Sequence, residues 1–172
     1  MNLQSDDFDL FGLARSFAQD RAALDAAWKA LQRQAHPDKF AAQGAAAQRL
    51  AMQWSVRINE AYQRLKDPIR RAAYLCELAG FPIAAHHNTA MPAAFLLQQM
   101  EWHEALDDAG SAEALDTLAD QVRAQQTELL AACAQHIDVG HDYPAAVATV
   151  RALMFIDKFG QDVRARQHAL DA

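Results

Sequence analysis

His36-Pro37-Asp38, extended by Lys39 and Phe40, is the most specific chemical string in the sequence. Proline fixes its own φ and disfavours the helical region at the residue before it, so the turn is stiff and holds out one imidazole and one carboxylate. A stiff loop with that pair suits recognition of a partner's polar groups, because docking it costs little conformational entropy. The same three residues also make an ordinary Pro-Asp turn beside a histidine. The flanking elements decide between the two.

The other candidates for chemistry are weaker. Of the seven histidines, His86 and His87 are adjacent with no Cys, Asp or Glu at a ligating spacing, which reads as a surface pair. His103-Glu104 is half of a metal-binding helix motif and lacks the second histidine four residues on. Cys76 and Cys133 stand 57 residues apart without CxxC spacing, so they offer neither a zinc knuckle nor a disulfide framework and read as small core residues. No Gly-rich phosphate loop, GxSxG or paired-carboxylate motif is present. The expectation is a protein with no catalytic residue, no metal and no cofactor. The rival from another class is a small helical metalloenzyme using His36, Asp38 and the His86-His87 pair, which stoichiometric metal in the purified protein would favour.

The positioning elements are helices. The chain of 172 residues suits one ordinary domain or two small ones, and its 52% hydrophobic content can bury a core. Alanine dominates, which favours helix, and no stretch alternates with period two as a strand does. No apolar run approaches the ~20 residues of a membrane span, and the first 13 residues hold three acids where a signal peptide would be basic and then apolar. A soluble, cytoplasmic-type protein without a membrane role is expected. Residues 1–79 carry a net charge of +2 and residues 80–172 a net charge of −8, which suggests two modules with different partners. The acidic balance argues against nucleic acid as the main ligand.

Phe8, Leu10, Phe11 and Leu13 predict one short helical turn ended at Gly12. Asp20 is a good N-cap for a helix with Leu24, Ala27, Trp28, Leu31 and Ala35 as its stripe and Lys29 and Arg33 on its polar flank; Pro37 stops it. A second amphipathic helix is expected from about Gly44 to Lys66, with Leu50, Trp54, Ile58, Ala61 and Leu65 as its stripe. Asp67-Pro68 opens a third over Ile69 to Leu78, and Gly80 closes it. Residues 80–90 form the linker. Beyond it, helices from Pro92 to Ala109, Ser111 to Asp138 and Asp142 to about Leu170, joined by short connections, predict a three-helix bundle over 91–172. The fold class is therefore all-α, in two modules.

The Pro92 helix carries a second feature. A step of about 100° per residue puts Phe95, Trp102 and Leu106 on one side and Leu96, Leu97 and Met100 on another, beside Glu101 and Glu104. A helix apolar on two faces is either central to its bundle or exposes a binding patch. In the last helix Val147, Val150, Leu153 and Met154 share a face, and Phe155 points away from it.

The order of a short helix, a basic helix, the HPDKF turn, a long helix and a short one over the first 78 residues resembles a J-domain. The strings LFGL, LQRQAHPDKF, INEAYQRLKDPIRRAAYL, AFLLQQMEWHEALDD and RALMFIDKF extend the resemblance over nearly the whole chain, to the HscB family of bacterial iron–sulfur cluster assembly. The resemblance implies a co-chaperone without an active site, whose partners are a DnaK-type ATPase chaperone, HscA, and the cluster scaffold IscU. It implies that His36, Pro37 and Asp38 dock on the chaperone, with Lys29, Arg33 and Lys39 as electrostatic support. It also implies that Leu96, Met100 and Phe155 contact the scaffold, with Leu97, Glu101 and Glu104 secondary. The chain lacks the N-terminal cysteine pairs of eukaryotic relatives, which points to a bacterial-type member without zinc. It also has Ala35 where the family often has an aromatic residue, which leaves the packing at the base of the turn an open question. A general J-protein with a different client is the alternative within binding proteins.

Overall fold

Asp6 starts the first helix by accepting a hydrogen bond from the Asp9 N–H, and Gly12 ends it in left-handed backbone at φ +66°, giving α1 (Asp7–Phe11). In the computed structural model, which describes residues 2–84 and 91–172, every regular element among the described residues is helical. The expected His86-His87 pair lies outside the described residues. The chain divides into two units, one running to Leu75 and one from Cys76 to Ala172.

In the first unit α2 (Arg21–Ala35) is capped by Asp20, whose carboxylate accepts from the Ala22 N–H. α3 spans Ala45–Lys66. α4 (Pro68–Leu78), within which the division falls, is opened by Asp67, whose carboxylate accepts from the N–H groups of Ile69 and Arg70. α2 and α3 run antiparallel, because rising positions on one meet falling positions on the other. Tyr62 donates to Asp25 at 2.7 Å, Trp28 donates to Asn59 at 3.0 Å, and Ser55 donates to Gln32 at 2.9 Å. Between them Phe8, Leu24, Ile58, Ala61 and Leu65 are buried almost completely. Leu50, expected in the α3 stripe, is instead 50% exposed. Its turn of α3 faces the end of α2, where Ala35 is too small to cover it.

A charge missed by sequence reading sits in this core. Asp7 is fully buried; Arg64 donates to its Oδ2 at 2.6 Å, and Arg57 lies 2.8 Å from its Oδ1 as a charge contact rather than an aligned hydrogen bond. The Asp7 N–H donates to the Tyr74 hydroxyl, and Arg64 lies over the Tyr74 ring at 4.7 Å. Arg57 also donates to the carbonyls of Ser5 and Leu3. One carboxylate thus joins α1, α3 and α4.

In the second unit α5 (Ala93–Asp108), α6 (Ala112–Ala134) and α7 (Tyr143–Asp171) share a core of Trp102, Leu106, Leu115, Leu118, Ile156 and Phe159. Ser111 caps α6 and Asp142 caps α7, as the sequence implies. Phe95 meets Phe155 and Trp102 meets Phe159, so α5 and α7 run parallel; Gln167 donates to Asp116, so α6 runs against α7. Gly160 permits close approach there, since a Cβ would stand 3.3 Å from Val122. The helix expected to run plainly to Asp138 instead widens into a π turn, Gln135–Val139, closed by the Gly140 N–H on the Gln135 carbonyl. Cys76 and Cys133 are both buried, and burial pushes their thiols up to about 11 and about 12, so neither is a thiolate at neutral pH. The start of the expected linker is held to α7: Phe81 stacks on Tyr143 at 5.9 Å, and Arg151 donates twice to the Ile83 carbonyl.

Removing the buried carboxylate leaves two arginines facing each other over an apolar site. Asp7→Ala is expected to lower the unfolding free energy by about 3 kcal/mol, the low end for a broken buried pair because both arginines keep some access to water. Urea titration followed by tryptophan fluorescence measures it, and a loss below about 1 kcal/mol, typical of an exposed pair, would show that the carboxylate is not structural.

Candidate functional site

The His-Pro-Asp string, expected as a stiff loop, begins a helical turn. α2 ends at His36, whose backbone is extended (φ −62°, ψ 126°), and Pro37–Gln43 then form a 3-10 helix. The His36 Nδ1 accepts a hydrogen bond from the Asp38 N–H at 3.3 Å and stands 3.6 Å from the Asp38 carboxylate. An Nδ1 that accepts leaves the proton of the neutral ring on Nε2. The side chains of His36 and Asp38 are 58% and 92% exposed, so the turn holds both groups out to solvent while its own backbone is satisfied. Its chemistry is that of recognition: one ring nitrogen that donates, one carboxylate that accepts, and a proline that keeps their spacing.

Lys29, Arg33 and Lys39 are exposed and form no salt bridge among the described residues. Their helix is fixed from its other side. Gln32 donates to Asn59 at 2.7 Å and accepts from Ser55, Trp28 stacks on Tyr62 at 4.7 Å, and Tyr62 donates to Asp25. Sequence reading placed Trp28 in the apolar stripe but missed the polar partners, which helical periodicity does not report. The Tyr62 hydroxyl, with the Arg21 guanidinium, holds the Asp25 carboxyl below the ordinary carboxylate range. At the base of the turn Ala35, Phe40, Ala47, Leu50 and Trp54 line an apolar cleft of about 440 Å³. Ala35, whose small side chain raised the packing question, is part of the lining of this cleft.

The second set of expected residues lies on the other unit. Leu96, Leu97 and Met100 are 44%, 57% and 61% exposed on α5, and Phe155 is 52% exposed on α7. The Phe95 ring meets Phe155 edge to face at 6.2 Å, which brings the α7 residue beside the α5 face. Of the two alternatives for a doubly apolar helix, exposure is the one observed. Glu101 and Glu104 are exposed on the same helix. Gln99, which sequence reading did not single out, is buried on α5 between Phe95 and Trp102, whose rings meet α7. His103 packs its ring against Phe159 at 5.0 Å, and no group of three metal-ligating side chains occurs among the described residues. No helix among them is long and apolar enough to cross a membrane.

Comparison with known proteins shows similarity over nearly the whole chain. Residues 91–164 match the family model described as the HSCB C-terminal oligomerisation domain. The chain is 48% identical to a co-chaperone protein HscB homolog of Burkholderia multivorans and 47% identical to that of Burkholderia cenocepacia, each over 99% of both chains. Among solved structures, chaperone HscB from Vibrio cholerae superposes with a TM-score of 0.84 at 34% identity, covering 96% of this chain and 99% of that one. Human co-chaperone protein HscB superposes with a TM-score of 0.92 at 26% identity, covering 97% and 84%. A J-domain followed by a helical domain, in a chain whose relatives are co-chaperones, defines a co-chaperone rather than an enzyme. The chain belongs to the HscB family.

Two outcomes follow from the geometry. Because the Asp25 pKa is depressed on folding, its contribution to stability is complete above the unfolded-state pKa and fades as pH falls through the folded one. Tyr62→Phe should raise the Asp25 midpoint, read by carboxyl NMR titration, and an unmoved midpoint would mean that Arg21 alone sets it. The triple variant of Leu96, Met100 and Phe155 to alanine should change the unfolding free energy by under about 1 kcal/mol, as exposed positions do. Core truncations would instead cost ~2–5 kcal/mol each, and a large fall in melting temperature would mark the three as core.

Proposed function

We propose that this chain binds the iron–sulfur scaffold protein IscU, delivers it to the DnaK-type chaperone HscA and stimulates that chaperone's ATPase, assisting maturation of iron–sulfur proteins in the cytoplasm. Residues 1–79 act as the J-domain, 80–90 as the linker and 91–172 as the scaffold-binding domain. His36, Pro37 and Asp38 engage the chaperone, with Lys29, Arg33 and Lys39 steering the encounter. Leu96, Met100 and Phe155 anchor the scaffold, and Leu97, Glu101 and Glu104 border them.

The observation that carries the reading is the exposure, in an HscB family member, of a braced His-Pro-Asp turn on one unit and of a large apolar group on the other. Single exposed apolar residues are ordinary, but four large ones drawn together across two helices mark an interaction surface. The acidic border adds complementarity toward a partner with basic residues around an apolar centre. The matched family model is described as an oligomerisation domain, which supports association with another chain as the task of this unit. On the first unit the contacts are polar and charged. They favour a hydrolysis-competent state of the chaperone only through differential binding, since the turn supplies no reacting group.

His36→Gln tests the chaperone half. Stimulation of the chaperone's ATPase should be lost, while helical content and scaffold affinity stay at wild-type values; full stimulation by the variant would remove the mechanism. Contacts of Lys29, Arg33 and Lys39 are exposed and are screened over a Debye length of ~10 Å at 0.1 M salt. Chaperone association should therefore slow as salt rises, mainly through the on-rate. Stopped-flow association at several salt concentrations measures this, and a salt-independent rate would make the basic flank a bystander. Recovery of a client other than the scaffold by the purified protein would favour a general J-protein.

A further inference from the structure

Two polar side chains are buried among the described residues, and they differ in one respect: Asp7 meets two arginines, whereas the Gln99 Nε2 has no hydrogen-bond partner among those residues. Gln99 is 9% exposed. It lies on α5 between two aromatic contacts that join α5 to α7, with Phe95 on Phe155 one turn before it and Trp102 and His103 on Phe159 about one turn after it. A buried amide without a partner gives up water and recovers nothing for its N–H groups, a cost that an apolar side chain of similar size does not incur. A buried group left unpaired in this way calls for a role outside folding.

Its neighbours indicate the role. Gln99 adjoins Met100, follows Leu96 by three residues, and stands one turn from the ring contact that carries Phe155 to α5. We propose that Gln99 is a specificity-determining residue of the client surface: when a client seats on Leu96, Met100 and Phe155, the carboxamide turns outward and donates to a main-chain carbonyl of the client. The inference rests on the proposed client site. The acceptor is a neutral carbonyl and not a carboxylate, because α5 carries Glu101, Glu104, Asp107 and Asp108 and no Lys or Arg, and this field repels a client anion. Because the Nε2 group is already stripped of water, the new bond replaces no bond to solvent. A client segment without a free carbonyl at that point leaves the amide orphaned and is rejected on that account.

The test uses the full chain and a purified IscU-type scaffold as the client. Gln99→Leu keeps the volume and removes the orphaned amide. Its melting temperature should equal or exceed that of wild type while scaffold affinity, read by calorimetry, falls at least tenfold. A packing role cannot produce that opposition. In wild type the Gln99 side-chain amide signals should shift and exchange more slowly with solvent on adding scaffold. Wild-type affinity in Gln99→Leu, or a loss of affinity together with a loss of melting temperature, would overturn the inference. The alanine variant of Leu96, Met100 and Phe155 is measured beside it. If that variant binds as wild type does, the client site itself is misplaced and the inference goes with it. If it fails to bind while Gln99→Leu binds normally, only the role of Gln99 is lost.

Discussion

A carboxylate without water needs cations, and the way Asp7 meets that need organises the first unit. α1 has five residues, far fewer than a helix needs to hold itself in water. It persists because Phe8 is buried and because Asp7, beside it, is held by Arg57 and Arg64, seven residues and two turns apart on one face of α3. Tyr74 closes the ring by accepting the Asp7 N–H and lying beneath Arg64, which adds α4 to the same contact. With α3 fixed at this end, the bonds from Asp25, Trp28 and Gln32 set α2 against it. The His36 turn then inherits a defined position from two helices that cannot slide. The buried ion pair is worth more as a register device than as a source of stability, since burying charge recovers little net energy.

Much of this was legible in the sequence, and what was missed has a common physical cause. Asp20, Asp67-Pro68, Ser111 and Asp142 mark helix starts because capping is local, and each cap is found where the residues place it. Pro37 and Gly80 mark stops for the same reason. The apolar stripe of α5 and its second apolar face followed from helical phase alone, whereas the exposure of that second face did not. Missed were the interactions between residues far apart in the chain, Asp7 with Arg57 and Arg64 and Gln32 with Asn59, and the burial of Gln99. Nothing in the local pattern around Asp7 distinguishes it from Asp6 or Asp9, which stay nearer the solvent. Leu50 was misread in the opposite sense, because phase reports a face and not what stands opposite it. The 3-10 turn after Pro37 and the π turn at Gln135–Val139 change the hydrogen-bond step and leave the apolar pattern intact, so composition cannot reveal them.

The two units pose different binding problems, and their surfaces differ accordingly. Around His36 the exposed groups are short, polar or charged, and braced by backbone bonds and by α3. Such groups attract a partner at a distance and let it go quickly, because water and salt compete for every contact. On α5 and α7 the exposed groups are apolar and acquire binding energy only at contact, where water is expelled. An interface of that kind is governed by its off-rate and holds a partner longer. Under the proposed function this division suits the work: the client stays bound on one unit while the other makes brief, repeated contact with an ATPase.

The acidic excess of the second unit then has a defined place. An exposed apolar group is a liability toward any other apolar surface, and bordering it with Glu101 and Glu104 selects among them. A second copy of the same face would bring these carboxylates against their own kind, a repulsion that desolvation at contact makes larger. A partner with basic residues around an apolar centre meets no such opposition. The patch can therefore stay exposed in the free protein, because its own border disfavours pairing with itself.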